Sequence, residues 1–202
     1  MTKASLSFAA RHTLVLGAVW LVSLLYLVSR ADRGWIPHDE GTLAQPAYRV
    51  LEGELPHRDF DDPYTGGLAL LHALAFHLLG KSLLTIRIVL LLFTTAFIPA
   101  LYSIVARVTP PLGAGLITLL AVSWSLPNYF TGMPSWYNLF FAVFGVALLL
   151  RYLDTEQRRW LFMAGLCGGC SLLIKVVGLY FIAAVLLFLI HREQLLASAK
   201  QG

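Results

Sequence analysis

Apolar runs occupy residues 13–28, 67–79, 83–106, 112–126, 136–150, 160–174 and 176–190 of the 202-residue chain. The simplest count is seven membrane-crossing helices. The second run does not fit it. Its 13 residues make a helix of about 20 Å, against a hydrocarbon core of about 30 Å. It also carries His72 and His77.

Positive charge decides between the two topologies. If 67–79 crosses the membrane, Arg107 and the group Arg151, Arg158 and Arg159 fall outside, and the stretch 127–135, which has no Lys or Arg, falls inside. That inverts the usual cytoplasmic bias of basic residues. If 67–79 instead lies on the outer face, Lys3, Arg11, Arg107, Arg151, Arg158, Arg159, Arg192 and Lys200 all fall inside. The pattern therefore predicts an all-α polytopic membrane protein with about six spans, juxtamembrane helices in the first external loop, and both ends cytoplasmic. Its parts are a first span at 13–29, an external loop at 30–82, five further spans within 83–190, and a cytoplasmic tail at 191–202. The last two runs are separated by Lys175 alone and predict a tight hairpin bending near 174–178.

Lys3 and Arg11 precede the first run, but no small-x-small cleavage site follows it, so it reads as an uncleaved signal anchor. Beyond it, Pro37 opens a helix whose first turn carries Asp39 and Glu40, where carboxylates meet the positive end of the helix dipole. Leu43, Ala47, Val50 and Leu51 share one face, and Gly53 suits the position after the helix end. Pro46 inside that pattern predicts a kink or two short helices near Gln45.

Composition agrees with the membrane assignment: 58% of residues are hydrophobic and only 13% charged, about half the charge share of soluble domains. The net charge of +4 comes with no Lys/Arg cluster suited to a phosphodiester backbone, so nucleic acid is not an expected partner. Cys167 and Cys170 have CxxC spacing without a second ligand pair. Beside Gly165, Gly168 and Gly169 they read as small thiols at a helix–helix contact.

Acid is distributed unevenly. Asp32, Asp39, Glu40, Glu52, Glu54, Asp59, Asp61 and Asp62, eight of the 11 acidic residues, lie in the loop after the first span. The bland reading of Asp39 and Glu40 is that helix N-termini favour carboxylates. Their place at the hydrocarbon edge adds two others: a partly desolvated general base, or a pair holding a divalent cation against a lipid phosphate. Arg49, Arg58, Arg87 and Lys175 are the cations of the same face and candidates for an ionised lipid phosphate. For Arg49 and Arg58, pairing with Glu52, Glu54 and Asp59 is an equal alternative. Lys175 sits in an otherwise unbroken apolar stretch, where an ammonium costs at least about 2.5 kcal/mol at the bilayer centre, although snorkelling to the surface explains much of it. His38, His57, His72 and His77 face the same side without metal-site spacing. The chain has no nucleophile elbow, P-loop or dinucleotide fingerprint.

"HDEG" after the first span, "AYRVLEGELPHRDFDDPYTGGLALLHALAFHLLGKSLLTIR" following it, and "AGLCGGCSLLIKVVGL" near the end together resemble the GT-C glycosyltransferases of family 39. That family includes protein O-mannosyltransferases and lipid A aminoarabinose transferases. The shared features are the acid pair, a G-x-x-P-x-R-D turn (Gly53, Pro56, Arg58, Asp59), a juxtamembrane helix ending at Gly80, and Arg87 opening the next span. The resemblance implies a bacterial inner-membrane enzyme with an outward-facing site and no cofactor, apart from the cation option at Asp39 and Glu40. It would move a sugar from a polyprenyl-phosphate carrier to a lipid, glycan or protein hydroxyl. Asp39 would act as base and Glu40 as its support. Arg58, Arg87 and Lys175 would hold the lipid phosphate, and His38, Asp59, Tyr64 and Asn138 would line the site. Asp62-Pro63 stands where aminoarabinose transferases have Lys-Pro, and Asn138 where many relatives have Asp. Family members are longer, so the chain reads as a single N-terminal module over 1–202. The competing readings are a non-catalytic or truncated scaffold of the same fold and, less well supported, a transporter, which would need polar groups near the midplane.

Overall fold

The computed structural model of the protein describes residues 7–199. The expected cytoplasmic Lys3 and Lys200 lie outside them. The described residues form eight α-helices: α1 (Phe8–Val28), α2 (Pro37–Leu51), α3 (Gly67–Leu79), α4 (Leu83–Val105), α5 (Pro111–Ser125), α6 (Pro134–Thr155), α7 (Arg158–Ile174) and α8 (Gly178–Ala199). A short 3-10 turn, Leu126–Asn128, extends α5. This is the all-α polytopic membrane architecture expected from the apolar pattern.

The six expected spans are not alike in length. Four helices, α1, α4, α6 and α8, are long and apolar enough to cross a membrane. α5 and α7 have 15 and 17 residues, about 22 and 26 Å at the helical rise, and fall short on length. α3 is a shorter apolar helix, and α8 continues through most of the expected tail.

Local sequence explains most boundaries. Ser7 and Ser82 cap α1 and α4 with their hydroxyls, and Pro37, Pro111 and Pro134 sit in the first turns of α2, α5 and α6, where a missing N–H costs nothing. α2 ends as Gly53 takes a φ of +93°, and the Glu54 amide donates back to the Arg49 carbonyl. α2 runs unbroken through Pro46, so two short helices do not form. Leu43 and Ala47, buried on either side of the proline, hold both halves against the core.

α4 is the central post. It packs on α1, α3, α5 and α6, and also touches α2. Phe93, Phe97, Tyr137 and Phe140 fill the α4–α6 seam, with Phe93 and Tyr137 edge to face at 5.1 Å. α7 returns along α6, and Gly145 and Gly168 let Phe181 of α8 lie close to both. The cysteines differ from expectation: Cys167 is half-buried and Cys170 exposed. Gly168 makes the close contact, while Gly165 and Gly169 face open space.

Candidate functional site

Asp39 and Glu40 are adjacent on α2, yet the fold treats them differently. Glu40 is completely buried. One carboxylate oxygen accepts from the Arg87 Nε at 2.6 Å, and the other accepts from the Ile36 amide at 2.9 Å, closing the start of α2. Arg87, in the first turns of α4, is equally buried. Its Nη1 donates to the carbonyls of Ala31 (3.0 Å) and Arg33 (2.6 Å), and its Nη2 to that of Gly34 (3.1 Å). The Trp35 ring covers the guanidinium at 3.8 Å. This junction fixes the loop after α1, the N-terminus of α2 and the top of α4 in one arrangement.

Two expectations change as a result. Arg87 is not placed to grip a lipid phosphate, because four of its donor directions end on protein acceptors and no part of its side chain is exposed. Glu40 is not free to share a cation with Asp39, because both its oxygens are engaged. Among the described residues no group of three or more His, Cys, Asp or Glu is placed to hold a metal ion. Asp39 itself is half-buried and makes no side-chain hydrogen bond or ion pair among the described residues. His38 beside it is exposed.

One turn and two turns along from Asp39 on α2 come Thr42 and Pro46. They line a narrow groove with Leu43, Asp62, Pro63, Tyr64, Leu68 and Ala69. The segment that closes it is tightly folded. The Asp59 carboxylate accepts from the Leu55 amide at 2.8 Å, and the Asp62 carboxylate from the Tyr64 amide at 2.8 Å. Arg58 is exposed and pairs with Asp59 at 2.7 Å, which holds the Asp59 carboxyl below the usual carboxylate range. Arg49 pairs with Glu54 and stacks on Phe60 at 4.4 Å. The alternative of internal pairing is thus the one these two arginines adopt. At the far end of α2, Lys81 donates to Glu52 at 2.9 Å and lowers its pKa.

The same segment then docks on the end of α7. The Thr65 hydroxyl donates to the Leu172 and Leu173 carbonyls at 2.9 and 2.6 Å. A Cβ on Gly67 would lie 2.3 Å from the Leu173 oxygen, so only glycine permits this approach. Lys175, just past α7, donates to the Ser135 hydroxyl at 3.3 Å, with its ammonium 5.8 Å from the Tyr64 ring. Asn138, one turn further along α6, donates to the Ser171 hydroxyl at 2.7 Å and leaves a buried carbonyl oxygen without a partner. Tyr64 therefore joins the α2 groove to a polar cluster of Lys175, Ser135, Asn138 and Ser171. Behind it, His72 is buried with Nε2 3.1 Å from the Tyr137 hydroxyl, and burial lowers its pKa to about 3, leaving the ring neutral.

Of the expected residues, the structure brings Tyr64, Lys175 and Asn138 into one region and ties Glu40 to Arg87. It leaves Arg58 and Asp59 in their own turn. Trp35, Thr65, Ser135 and Ser171 were not legible as site residues. Only Trp35 carried a signal, as an aromatic beside a span end.

The all-helical membrane bundle is the fold class of a membrane glycosyltransferase of the GT-C type. A profile of the family described as dolichyl-phosphate-mannose-protein mannosyltransferase matches residues 66–201, and the chain belongs to this family. The match contains Arg87, Asn138 and Lys175 and begins at the start of α3, so Asp39 and Glu40 lie outside it. No curated protein and no solved structure matches the chain.

Proposed function

We propose that the protein transfers a sugar from a polyprenyl-phosphate carrier to an acceptor hydroxyl at the outer face of a bacterial cytoplasmic membrane, with Asp39 as the general base. The observation that carries this reading is the division within the acid pair. Glu40 is buried and saturated by Arg87 and Ile36, whereas Asp39 beside it is half-buried and unengaged. A base needs a free oxygen for its proton, which the unengaged Asp39 keeps while Glu40 anchors the helix that carries it.

In the reaction, the Asp39 carboxylate takes the proton of the acceptor hydroxyl as its oxygen attacks the anomeric carbon. The bond from that carbon to the phosphate oxygen breaks, and polyprenyl phosphate leaves with the electron pair. A single displacement inverts the anomeric centre. Lys175 is the cation for the departing phosphate. It is half-exposed, has only a hydroxyl partner at 3.3 Å, and keeps donor capacity that Arg87 lacks. Arg87 and Glu40 act as positioning residues. Tyr64 and Asn138 line the path between base and cation. Arg58 lies at the rim, its guanidinium shared with Asp59. The orientation follows the basic residues: Arg107, Arg151, Arg158 and Arg159 stand at the opposite end of the bundle and face the cytoplasm.

The test uses the full chain in its native membranes with an added polyprenyl-phosphate hexose, following release of polyprenyl phosphate. Asp39→Asn is expected to lower release by about 10²–10⁴-fold, the usual contribution of a positioned base. Release at the wild-type rate would overturn the assignment of Asp39, and no release by the unmutated chain would favour a non-catalytic scaffold.

A further inference from the structure

A second polar feature lies at the end of the bundle opposite Asp39. From Arg87 to the end of α4 at Val105 is 18 residues, about 27 Å along the helix, and beyond it Arg107 meets the C-terminal end of α6. There a cavity of about 410 Å³ is lined by Ser103, Arg107, Leu148, Arg151, Asp154 and Trp160, among others. Arg107 pairs with Asp154. Arg151 has no acid partner among the described residues, and its guanidinium lies over the Trp160 ring at 4.3 Å. Arg159 covers the same ring at 4.8 Å. The indole N–H of Trp160 is buried without an acceptor.

We propose that this cleft binds the phosphodiester headgroup of an anionic phospholipid. Two lining arginines against one aspartate, with Arg159 over the Trp160 ring, leave a net positive site. Guanidinium forks match phosphate oxygens, and a stacked guanidinium still presents its in-plane N–H groups to an anion. The cavity lies between helices at the membrane boundary, the setting in which basic pockets hold lipid headgroups. Part of its wall is apolar, formed by Ala147, Leu148 and Leu150, and on the neighbouring α7 the side chains of Phe162, Met163 and Leu166 are exposed. These apolar surfaces suit acyl chains, which a free inorganic phosphate does not have. The site is distinct from the Asp39 end and takes no part in the transfer reaction, so it stands or falls independently of that reaction.

The experiment is native mass spectrometry of the detergent-purified chain with phosphatidylglycerol, phosphatidylcholine or inorganic phosphate. Phosphatidylglycerol adducts are expected at least fivefold above phosphatidylcholine adducts, with a fivefold or greater loss in Arg151→Gln. Arg33→Gln, which alters an exposed cation at the other end, should leave them unchanged. Thermal unfolding of the unmutated protein supplies a readout that needs no variant to fold: phosphatidylglycerol should raise Tm above its value in phosphatidylcholine. Equal binding of the two lipids, or adducts indifferent to Arg151→Gln, would overturn the proposal. Inorganic phosphate displacing the lipid at equal concentration would overturn the assignment to a lipid.

Discussion

Two arginine–carboxylate pairs sit on the same side of this molecule and do different work. Arg87 and Glu40 have no exposed side-chain surface, whereas the Arg58 side chain is 64% exposed and that of Asp59 34%. The buried pair joins α2, α4 and the loop after α1. The exposed pair decorates a turn that backbone hydrogen bonds already close. Taking two charges from water is expensive, and the buried pair is tolerated because the carbonyls of Ala31, Arg33 and Gly34 and the Ile36 amide use the remaining donors and acceptor. The lesson concerns function as much as stability. A carboxylate fully satisfied by the fold is a fixture, and the proposed base is its less committed neighbour.

The largest effect should come from breaking the buried pair on one side. Arg87→Ala leaves Glu40 charged and unpaired in a closed site, a loss of about 3–5 kcal/mol, read as a fall in Tm in detergent. Replacing both partners, as Glu40→Gln with Arg87→Met, should cost less than Arg87→Ala alone, because no lone charge remains. Equal losses would mean the pair does not act as a unit.

Next in size is Gly67→Ala. The added Cβ meets the Leu173 carbonyl, a backbone atom that cannot step aside, and overpacking of this kind costs about 1–3 kcal/mol. The Thr65 contact to α7 should loosen with it, measured as faster amide exchange at Lys175, whose N–H donates to Ser171. Lys175→Gln should leave Tm nearly unchanged and weaken binding of a polyprenyl-phosphate sugar roughly tenfold, the scale of one charged hydrogen bond.

The exposed pair should give the smallest response. Asp59 titrates below its ordinary value because of Arg58 and the Leu55 amide. A depressed carboxyl contributes stability above the unfolded pKa of about 3.8 and loses it as pH falls through the folded value. At this exposure solvent screens most of that contribution. Arg58→Ala should therefore leave Tm unchanged at neutral pH and weaken, without abolishing, a shallow acid-side dependence below about pH 4, since the Leu55 amide still holds Asp59.

Much of the architecture was legible in the chain. Pro37, the Leu43–Ala47 face and Gly53 announced α2, and the isolated Lys175 marked the turn between α7 and α8, because these signals act within one helical turn. The status of Arg87 was not legible. Its partners come from positions 31, 33, 34 and 40, and no local pattern reports that three carbonyls will converge on one guanidinium. The same holds for Ser135, which became a partner of Lys175 only when α6 and α7 came together. The lengths of the spans were also partly hidden, since hydrophobicity showed that α5 and α7 are apolar while their length emerged only once Pro111 and Lys175 set the helix ends.

The central claim is that Asp39 reacts while Glu40 holds the scaffold. The most direct test measures polyprenyl-phosphate release and Tm together in Asp39→Asn, with Glu40→Gln as its partner. The account predicts that Asp39→Asn keeps the wild-type Tm and loses turnover, and that Glu40→Gln lowers Tm. An Asp39→Asn protein that still turns over, or one that loses turnover only in step with its Tm, would contradict it.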